Sequence, residues 1–194
     1  ASAALAGVVG CAPDLIYLPE VDFNMEQFLS DVTEIYQREG NCIVAVSEGI
    51  HYADGSFVSE AKTSATDGFG HAQLGGLAAL LADAVKQKTG AKVRGIELSL
   101  LQRCGSHLAS KTDVEEAYLA GQAAVEAAAE GFTDKMVAFQ CTRDGSYACK
   151  TVLEPLDIVA NFEKKVPRAW INEAGNGVTQ EFIDYVLPLI QGET

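Results

Sequence analysis

Short apolar runs alternate along this chain with longer segments whose apolar residues keep helical spacing. The apolar runs predict buried strands over 15–18, 42–46, 93–101, 135–140 and 147–150. The helical spacing predicts helices over 24–40, 72–89, 112–131 and 179–189, and residues 1–9 are typical of the end of a further helix. Because strands that alternate with helices of this length form βαβ units, we predict an α/β fold. Its sheet is expected to be mostly parallel, with helices on both faces in a Rossmann-like, three-layer arrangement.

Residues that favour helix ends bound two of these segments. Asn24 and Gln27 have the spacing of an N-cap pair at the start of the first full helix. Thr112 and Glu115 have the spacing of a capping box for the helix that follows the third strand. We therefore expect these two helices to begin next to Asn24 and Thr112.

The charge and the cysteine content exclude several classes of protein. A net charge of −13 argues against binding to nucleic acid or to an anionic membrane surface, and we expect neither as a partner. The apolar runs are too short to cross a bilayer. The five cysteines are widely spaced and form no CxxC motif, which is typical of a reduced, intracellular chain. We expect a cytoplasmic location.

The stretch 95–117 combines an apolar strand, a small turn and the start of a helix. Gln102 and Arg103 come at the carboxyl end of that strand, just before the helix. An arginine at this edge of an open α/β sheet can bind a phosphate or carboxylate through two hydrogen bonds. Glu20 ends the first strand after a proline, where a carboxylate can accept hydrogen bonds from sugar hydroxyls. These residues indicate a site for an anionic ligand.

A second arginine, Arg94, stands at the start of the same predicted strand, nine residues before Arg103. In an extended strand the two lie about 30 Å apart, so one subunit cannot readily bring both to one phosphate. If both bind ligand, one of them must serve the site of a neighbouring subunit. The alternative is that both arginines are surface charges and that Glu20 is a solvated strand end, and the residues alone leave this open.

Motifs that carry out catalysis are missing from the sequence. The three histidines lack the HxH and HExxH spacings of metal sites, and no GxGxxG, Walker A or GxSxG motif occurs. We therefore predict no catalytic residue and no metal ligand in this chain.

Several colinear blocks are similar to one known family. LIYLPE ends in Glu20, VAVSEGI covers 44–50, GHAQLGG covers 70–76 and LLQR covers 100–103. HLASKTDVEEAYLAGQAAVEAA, VANFEKKVP and YVLPLIQGE continue the match. Together they resemble the C-terminal half of a phosphofructokinase, in particular the longer and often pyrophosphate-dependent members. The resemblance runs from residue 1 to the end.

The resemblance implies roles for individual residues. Glu20 would hold fructose 6-phosphate, and Gln102 and Arg103 would belong to the family's substrate-binding tetrapeptide. Arg94 matches the arginine that reaches across an interface to the 6-phosphate of a neighbour's substrate. Leu100 stands where members usually have His or Tyr. Because the leucine side chain cannot hydrogen-bond, this departure bears on the affinity for the sugar phosphate or on which sugar phosphate is bound.

The resemblance also implies the activity of a longer parent enzyme. Such a phosphotransferase moves a phosphoryl group from pyrophosphate, or ATP, to fructose 6-phosphate and gives fructose 1,6-bisphosphate in glycolysis. Mg2+ would be bound mainly by an N-terminal half, which also carries the donor loop and the catalytic aspartate, so the isolated chain should be inactive. A homo-oligomer is expected because Arg94 needs a neighbouring site. We expect a sugar-phosphate-binding lobe over 1–112 and a segment over 113–194 that completes the sheet and packs between lobes.

Two other hypotheses remain at this point. The departure at Leu100 and the missing catalytic motif favour a non-catalytic subunit that binds a sugar phosphate or regulates a partner. A generic α/β domain whose arginines are surface charges is the third, and the long colinear match argues against it.

Overall fold

The computed structural model describes residues 12–59, 76–100, 104–143 and 145–192. These residues form two units. The first unit contains the described residues up to position 100 together with 166–183, and the second contains 104–165 and 184–192. In the described ranges no helix has the length and apolar character that a membrane span requires.

The first unit contains a βαβ element. Strand β1 (Leu15–Tyr17) pairs in parallel with β2 (Val44–Val46), and helix α1 (Met25–Glu39) connects them. The Asn24 side chain accepts hydrogen bonds from the backbone N–H groups of Glu26 and Gln27, which starts α1 as predicted. The helix ends at Gly40, whose φ of 77° is the left-handed conformation that glycine adopts at low cost.

An aromatic cluster forms the centre of the core in this unit. The rings of Tyr17, Phe23 and Phe28 lie 5.5–5.6 Å apart between centroids, and Phe28 is only 2% exposed. Helix α2 (Leu77–Thr89) contributes buried apolar residues at a spacing of four, namely Leu77, Leu81 and Val85. Burial of these side chains removes a large apolar area from water, which is the main force that holds β1, α1 and α2 together.

The segment 166–183 returns to the edge of β1. The Ile16 N–H donates to the carbonyl of Asn176 at 2.9 Å. Arg168 shapes this segment, because its guanidinium donates to the carbonyls of Ile171, Asn172 and Glu173. The segment thereby places Asn176 beside the first strand.

The second unit packs a long helix against a β-hairpin. Helix α3 (Lys111–Ala129) is followed by β3 (Lys135–Thr142) and β4 (Ala148–Pro155), which pair antiparallel along their whole length. The short helix α4 (Leu156–Val159) follows the hairpin, and helix α5 (Gln180–Val186) begins in the first unit and ends in the second.

The mixture of helices and strands confirms an α/β fold, and the mostly parallel sheet with helices on both faces stays a prediction. The described residues hold one parallel pair and one antiparallel pair, each of two strands. Strands β3 and β4 were both expected, yet the connection 143–147 is too short for the crossover that parallel neighbours need.

The strand predicted over 93–101 is also absent from the residues described there, which end at position 100. The segment 93–100 is not paired with a strand, and Ser99 has a φ of 40°, which interrupts an extended conformation. Gly95 instead lies against helix α2, where a Cβ atom would stand 2.5 Å from the carbonyl oxygen of Ala78. Glu97 accepts a hydrogen bond from the Gly76 N–H at 3.0 Å, so this segment caps α2 rather than extending a sheet.

The capping box predicted at Thr112 is wrong by two residues. Ser110 is the N-cap of α3 and accepts from the Asp113 N–H at 3.1 Å. The Thr112 hydroxyl donates instead to the carbonyl of Gln191. The Ser110 hydroxyl is held in the N-cap position because it also donates to the Leu189 carbonyl at 2.6 Å. This is a long-range contact that local sequence spacing does not indicate.

Candidate functional site

Glu20 lies in the turn that follows β1, at the carboxyl end of the parallel pair. Its Oε1 accepts a hydrogen bond from the Val166 N–H at 2.8 Å. Its Oε2 is buried and has no hydrogen-bond partner among the residues that the structure describes. A buried carboxylate oxygen without a donor is costly, so each such oxygen in a folded protein calls for an explanation. A ligand hydroxyl is the type of donor that this oxygen can accept from.

A hydrogen-bond cluster fixes the strand that leads to Glu20. Asp31 on α1 accepts from the Tyr17 hydroxyl at 2.9 Å and from the Asn176 amide at 2.8 Å, both on Oδ2. Its Oδ1 accepts from the Gln27 side chain at 2.7 Å. Burial and the contact with Asp31 raise the pKa of Tyr17 well above its usual range, which keeps the hydroxyl protonated as a donor. The cluster therefore joins β1, α1 and the segment 166–183 immediately before the Glu20 turn.

Arg94 lies on the extended segment after α2 and its side chain is exposed. It has no hydrogen bond or ion pair with another described residue. It forms no ion pair with Glu20, so the two predicted site residues are not each other's partners. An exposed guanidinium can bind an anionic group through two hydrogen bonds.

The remaining predicted site residues are at the end of this segment. Leu100 is 66% exposed, so it is not part of the core. Gln102 and Arg103 lie outside the described residues, and so does the stretch 70–75 of the GHAQLGG block. The distance of about 30 Å expected between Arg94 and Arg103 therefore stays a prediction.

Sequence reasoning missed the residues that hold Glu20 and its strand in position. Val166 lies at the end of the VANFEKKVP block, and nothing in that block indicates that its N–H reaches Glu20, 146 positions away. Asp31 and Asn176 are separated by 145 positions, although the Gln27–Asp31 pair has the helical spacing that could have indicated a polar site on α1.

Comparison with known proteins identifies the group to which this arrangement belongs. The family profile "Phosphofructokinase" matches residues 1–128. The chain belongs to the phosphofructokinase family. This confirms the resemblance seen in the sequence blocks.

Two curated relatives are similar over nearly the whole chain. A pyrophosphate–fructose 6-phosphate 1-phosphotransferase of Halomonas elongata is 44% identical over 194 residues, which are 100% of this chain and 46% of that protein. The enzyme of the same name from Xanthomonas campestris is 45% identical over 195 residues, covering 98% of this chain and 46% of its own length. The chain is thus homologous to a phosphotransferase and spans about half the length of these relatives.

A solved structure supports the same relationship. The pyrophosphate-dependent phosphofructokinase from Marinobacter aquaeolei superposes with a TM-score of 0.76 at 36% identity, over 99% of this chain and 45% of that one. A phosphofructokinase-like fold follows from this match.

The family implies a magnesium ion, and the described residues do not fit one. Within 12–59, 76–100, 104–143 and 145–192, no group of three or more His, Cys, Asp or Glu side chains could hold a metal ion. A hard divalent cation needs several oxygen ligands in one place, and Glu20 alone does not supply them. We therefore assign no metal ligand to this part of the chain.

Proposed function

We propose that this chain is the sugar-phosphate-binding part of a pyrophosphate-dependent 6-phosphofructokinase. In the complete enzyme a phosphoryl group of pyrophosphate is transferred to the 1-hydroxyl of fructose 6-phosphate, which gives fructose 1,6-bisphosphate and phosphate. The names of the relatives support pyrophosphate over ATP as the donor. The other half of the enzyme would hold the donor and Mg2+, so the isolated chain is expected to be inactive.

One observation supports this proposal above all: one oxygen of the Glu20 carboxylate accepts from Val166, and the other, which is buried, has no donor within the described part of the chain. The first bond fixes the orientation of the carboxylate. The second oxygen is suited to a sugar hydroxyl, which is a neutral donor that a carboxylate binds strongly. Its place after a strand of a parallel pair is the edge at which ligands of α/β proteins bind.

The arginines supply the charge that a sugar phosphate needs. Arg103, with Gln102 before it, would bind the substrate of its own subunit. Arg94 is exposed and has no acceptor among the described residues, and it would reach the 6-phosphate in a neighbouring subunit. This role requires a homo-oligomer. Leu100, also exposed, would contribute an apolar contact where a hydrogen-bonding side chain is usual.

The finer architecture belongs to the same proposal. In the complete enzyme the pair β1–β2 would be part of a larger, mostly parallel sheet with helices on both faces. The lobe 1–112 would bind the sugar phosphate, and 113–194 would complete the sheet and pack between lobes. We propose a cytoplasmic location, as expected for a glycolytic enzyme.

The proposal is tested by calorimetric titration of fructose 6-phosphate into the chain and into two variants. Glu20→Gln keeps a carbonyl oxygen for the Val166 N–H but turns the free acceptor into an amide donor, so binding should weaken roughly 10- to 100-fold. Arg103→Ala should abolish measurable binding. The matched controls are Glu34→Gln and Arg38→Ala, an exposed pair on α1 with a separation of 3.7 Å, and both should bind like the wild type.

The full-length parent separates this proposal from the alternative of a non-catalytic subunit. An active parent with pyrophosphate as donor, and loss of activity on Glu20→Gln, would support the enzyme. A parent that binds fructose 6-phosphate without transferring phosphate would favour the regulatory subunit that Leu100 suggests. Equal binding by wild type, Glu20→Gln and Arg103→Ala would refute the proposed site.

A further inference from the structure

Two cysteines face each other across the hairpin of the second unit. Cys141 on β3 is the register partner of Cys149 on β4. Their Sγ atoms lie 2.9 Å apart, and both side chains are half-buried. Both cysteines belong to the second unit, and neither is among the residues assigned to the proposed sugar-phosphate site.

The backbone already has the geometry that a crosslink needs. Residues directly opposite in an antiparallel pair have Cα atoms about 4.5–5.5 Å apart, which lies inside the range of about 4.4–6.8 Å found for disulfides. A disulfide bond is about 2.05 Å long, so the two sulfurs need to approach by less than about 1 Å. The strands can be joined without a change of register.

We propose that Cys141 and Cys149 are a redox modification site that forms a reversible cross-strand disulfide with a low-molecular-weight disulfide, such as oxidised glutathione, as the oxidant. One cysteine sulfur attacks the oxidant, forms a mixed disulfide and releases one glutathione. The second cysteine sulfur attacks that mixed disulfide, forms the Cys141–Cys149 bond and releases the second glutathione. The two thiol protons end on the two glutathione molecules, so two electrons pass from the protein to the oxidant.

The groups around the pair set the pH at which it reacts. The Tyr147 hydroxyl lies 3.5 Å from Cys141 Sγ and donates to Glu116 on α3 at 2.6 Å, and the Arg143 guanidinium lies 5.5 Å from the Tyr147 ring centroid. Burial and the contact with Cys141 raise the pKa of Cys149 to about 11. Because the thiolate is the attacking species, exchange at Cys149 should be slow at neutral pH and faster in alkali.

Tryptic digestion provides a direct test because cleavage after Lys135, Arg143 and Lys150 puts the two cysteines on separate peptides, 136–143 and 144–150. The native 194-residue chain is equilibrated in buffers of varying reduced and oxidised glutathione, free thiols are alkylated, and the unreduced digest is analysed by mass spectrometry. We expect the two peptides to be linked and to lack two hydrogen atoms. The exposed Cys104 is the internal control and should carry a glutathione adduct instead.

The chain unfolded in urea shows whether the fold itself favours the crosslink. We expect the equilibrium constant for the Cys141–Cys149 bond to be at least tenfold higher in the native chain, which corresponds to about 30 mV for a two-electron couple. The Cys141→Ser variant should give only a glutathione adduct at Cys149. Free thiols or separate glutathione adducts at Cys141 and Cys149 of the native chain would overturn the proposal. So would an equilibrium constant for the Cys141–Cys149 bond that is less than tenfold higher in the native chain than in the unfolded chain.

Discussion

Replacement of Tyr17 by phenylalanine should make the stability of the first unit much less sensitive to alkaline pH. Tyr17 is 9% exposed, and its hydroxyl donates to Asp31 at 2.9 Å. Tyr17→Phe keeps the ring in the aromatic core and removes only this donor. Asp31 retains the Gln27 and Asn176 donors, so its charge stays solvated by hydrogen bonds in the variant.

The expected magnitude at neutral pH follows from the type of bond that is lost. A hydrogen bond to a charged group contributes about 1.5–3 kcal/mol. Because two donors to Asp31 remain, we expect the lower end, a loss of about 1.5 kcal/mol in the free energy of unfolding.

The sign of the pH effect follows from the raised pKa of Tyr17 in the folded state, which results from burial and from the Asp31 carboxylate. In the unfolded chain the hydroxyl ionises near pH 10. Above that pH the native state holds a proton that the unfolded state has lost, so the stability of the wild type falls as pH rises. Between pH 9 and pH 11 this loss amounts to about 1.4 kcal/mol. Phenylalanine cannot titrate, so the gap between wild type and Tyr17→Phe should nearly close at pH 11.

Urea unfolding followed by the fluorescence of Trp170, the single tryptophan, measures this gap. Trp170 belongs to the first unit and its ring lies 6.4 Å from that of Phe182, so its emission reports on the unit that contains Tyr17. Curves at pH 7, 9, 10 and 11 give the free energy at each pH. The control adds Asp31→Asn to both the wild type and Tyr17→Phe. In this background the difference in the free energy of unfolding at neutral pH should shrink, because the acceptor at position 31 is neutral. Parallel pH profiles for wild type and Tyr17→Phe would refute the role given to Tyr17.

Three further predictions concern stability and thiol reactivity. Phe28→Ala should lower the free energy of unfolding in urea by about 3–5 kcal/mol because the side chain is only 2% exposed, whereas Phe132→Ala, at 51% exposed, should cost much less. Ser110→Ala should destabilise the second unit by about 1–2 kcal/mol in thermal unfolding, and more than Thr112→Ala, because only Ser110 is the N-cap. Burial and the nearby Asp14 raise the pKa of Cys42 to about 11, so its alkylation by iodoacetamide should accelerate about tenfold per pH unit between pH 7 and pH 10. A rate that levels off near pH 8 would contradict this value.

Local sequence signals were sufficient to predict those features that depend only on residues close together in the chain. Asn24 and Gly40 bound α1 as predicted because caps and left-handed ends involve only the adjacent turn. The apolar pattern predicted β3 nearly at its observed position, but β4 runs from Ala148 to Pro155 and not only over 147–150. The antiparallel direction of the pair follows from the short connection between the strands. The run 93–101 has the composition of a strand, yet Gly95 packs on Ala78 and Glu97 caps α2, so tertiary contacts decided against the local preference.

The candidate site shows the same division between local and long-range information. The place of Glu20 was predictable because a carboxylate directly after a short buried strand is a local pattern. Its orientation was not predictable, since it depends on the N–H of Val166, and the strand before it depends on Asn176 through Asp31. A main-chain donor cannot be recognised from the type of residue, because every residue except proline has the same backbone N–H. Under the proposed function, substitutions in the segment 166–176 should therefore weaken sugar binding through Glu20 without any change in the residues proposed to contact the sugar.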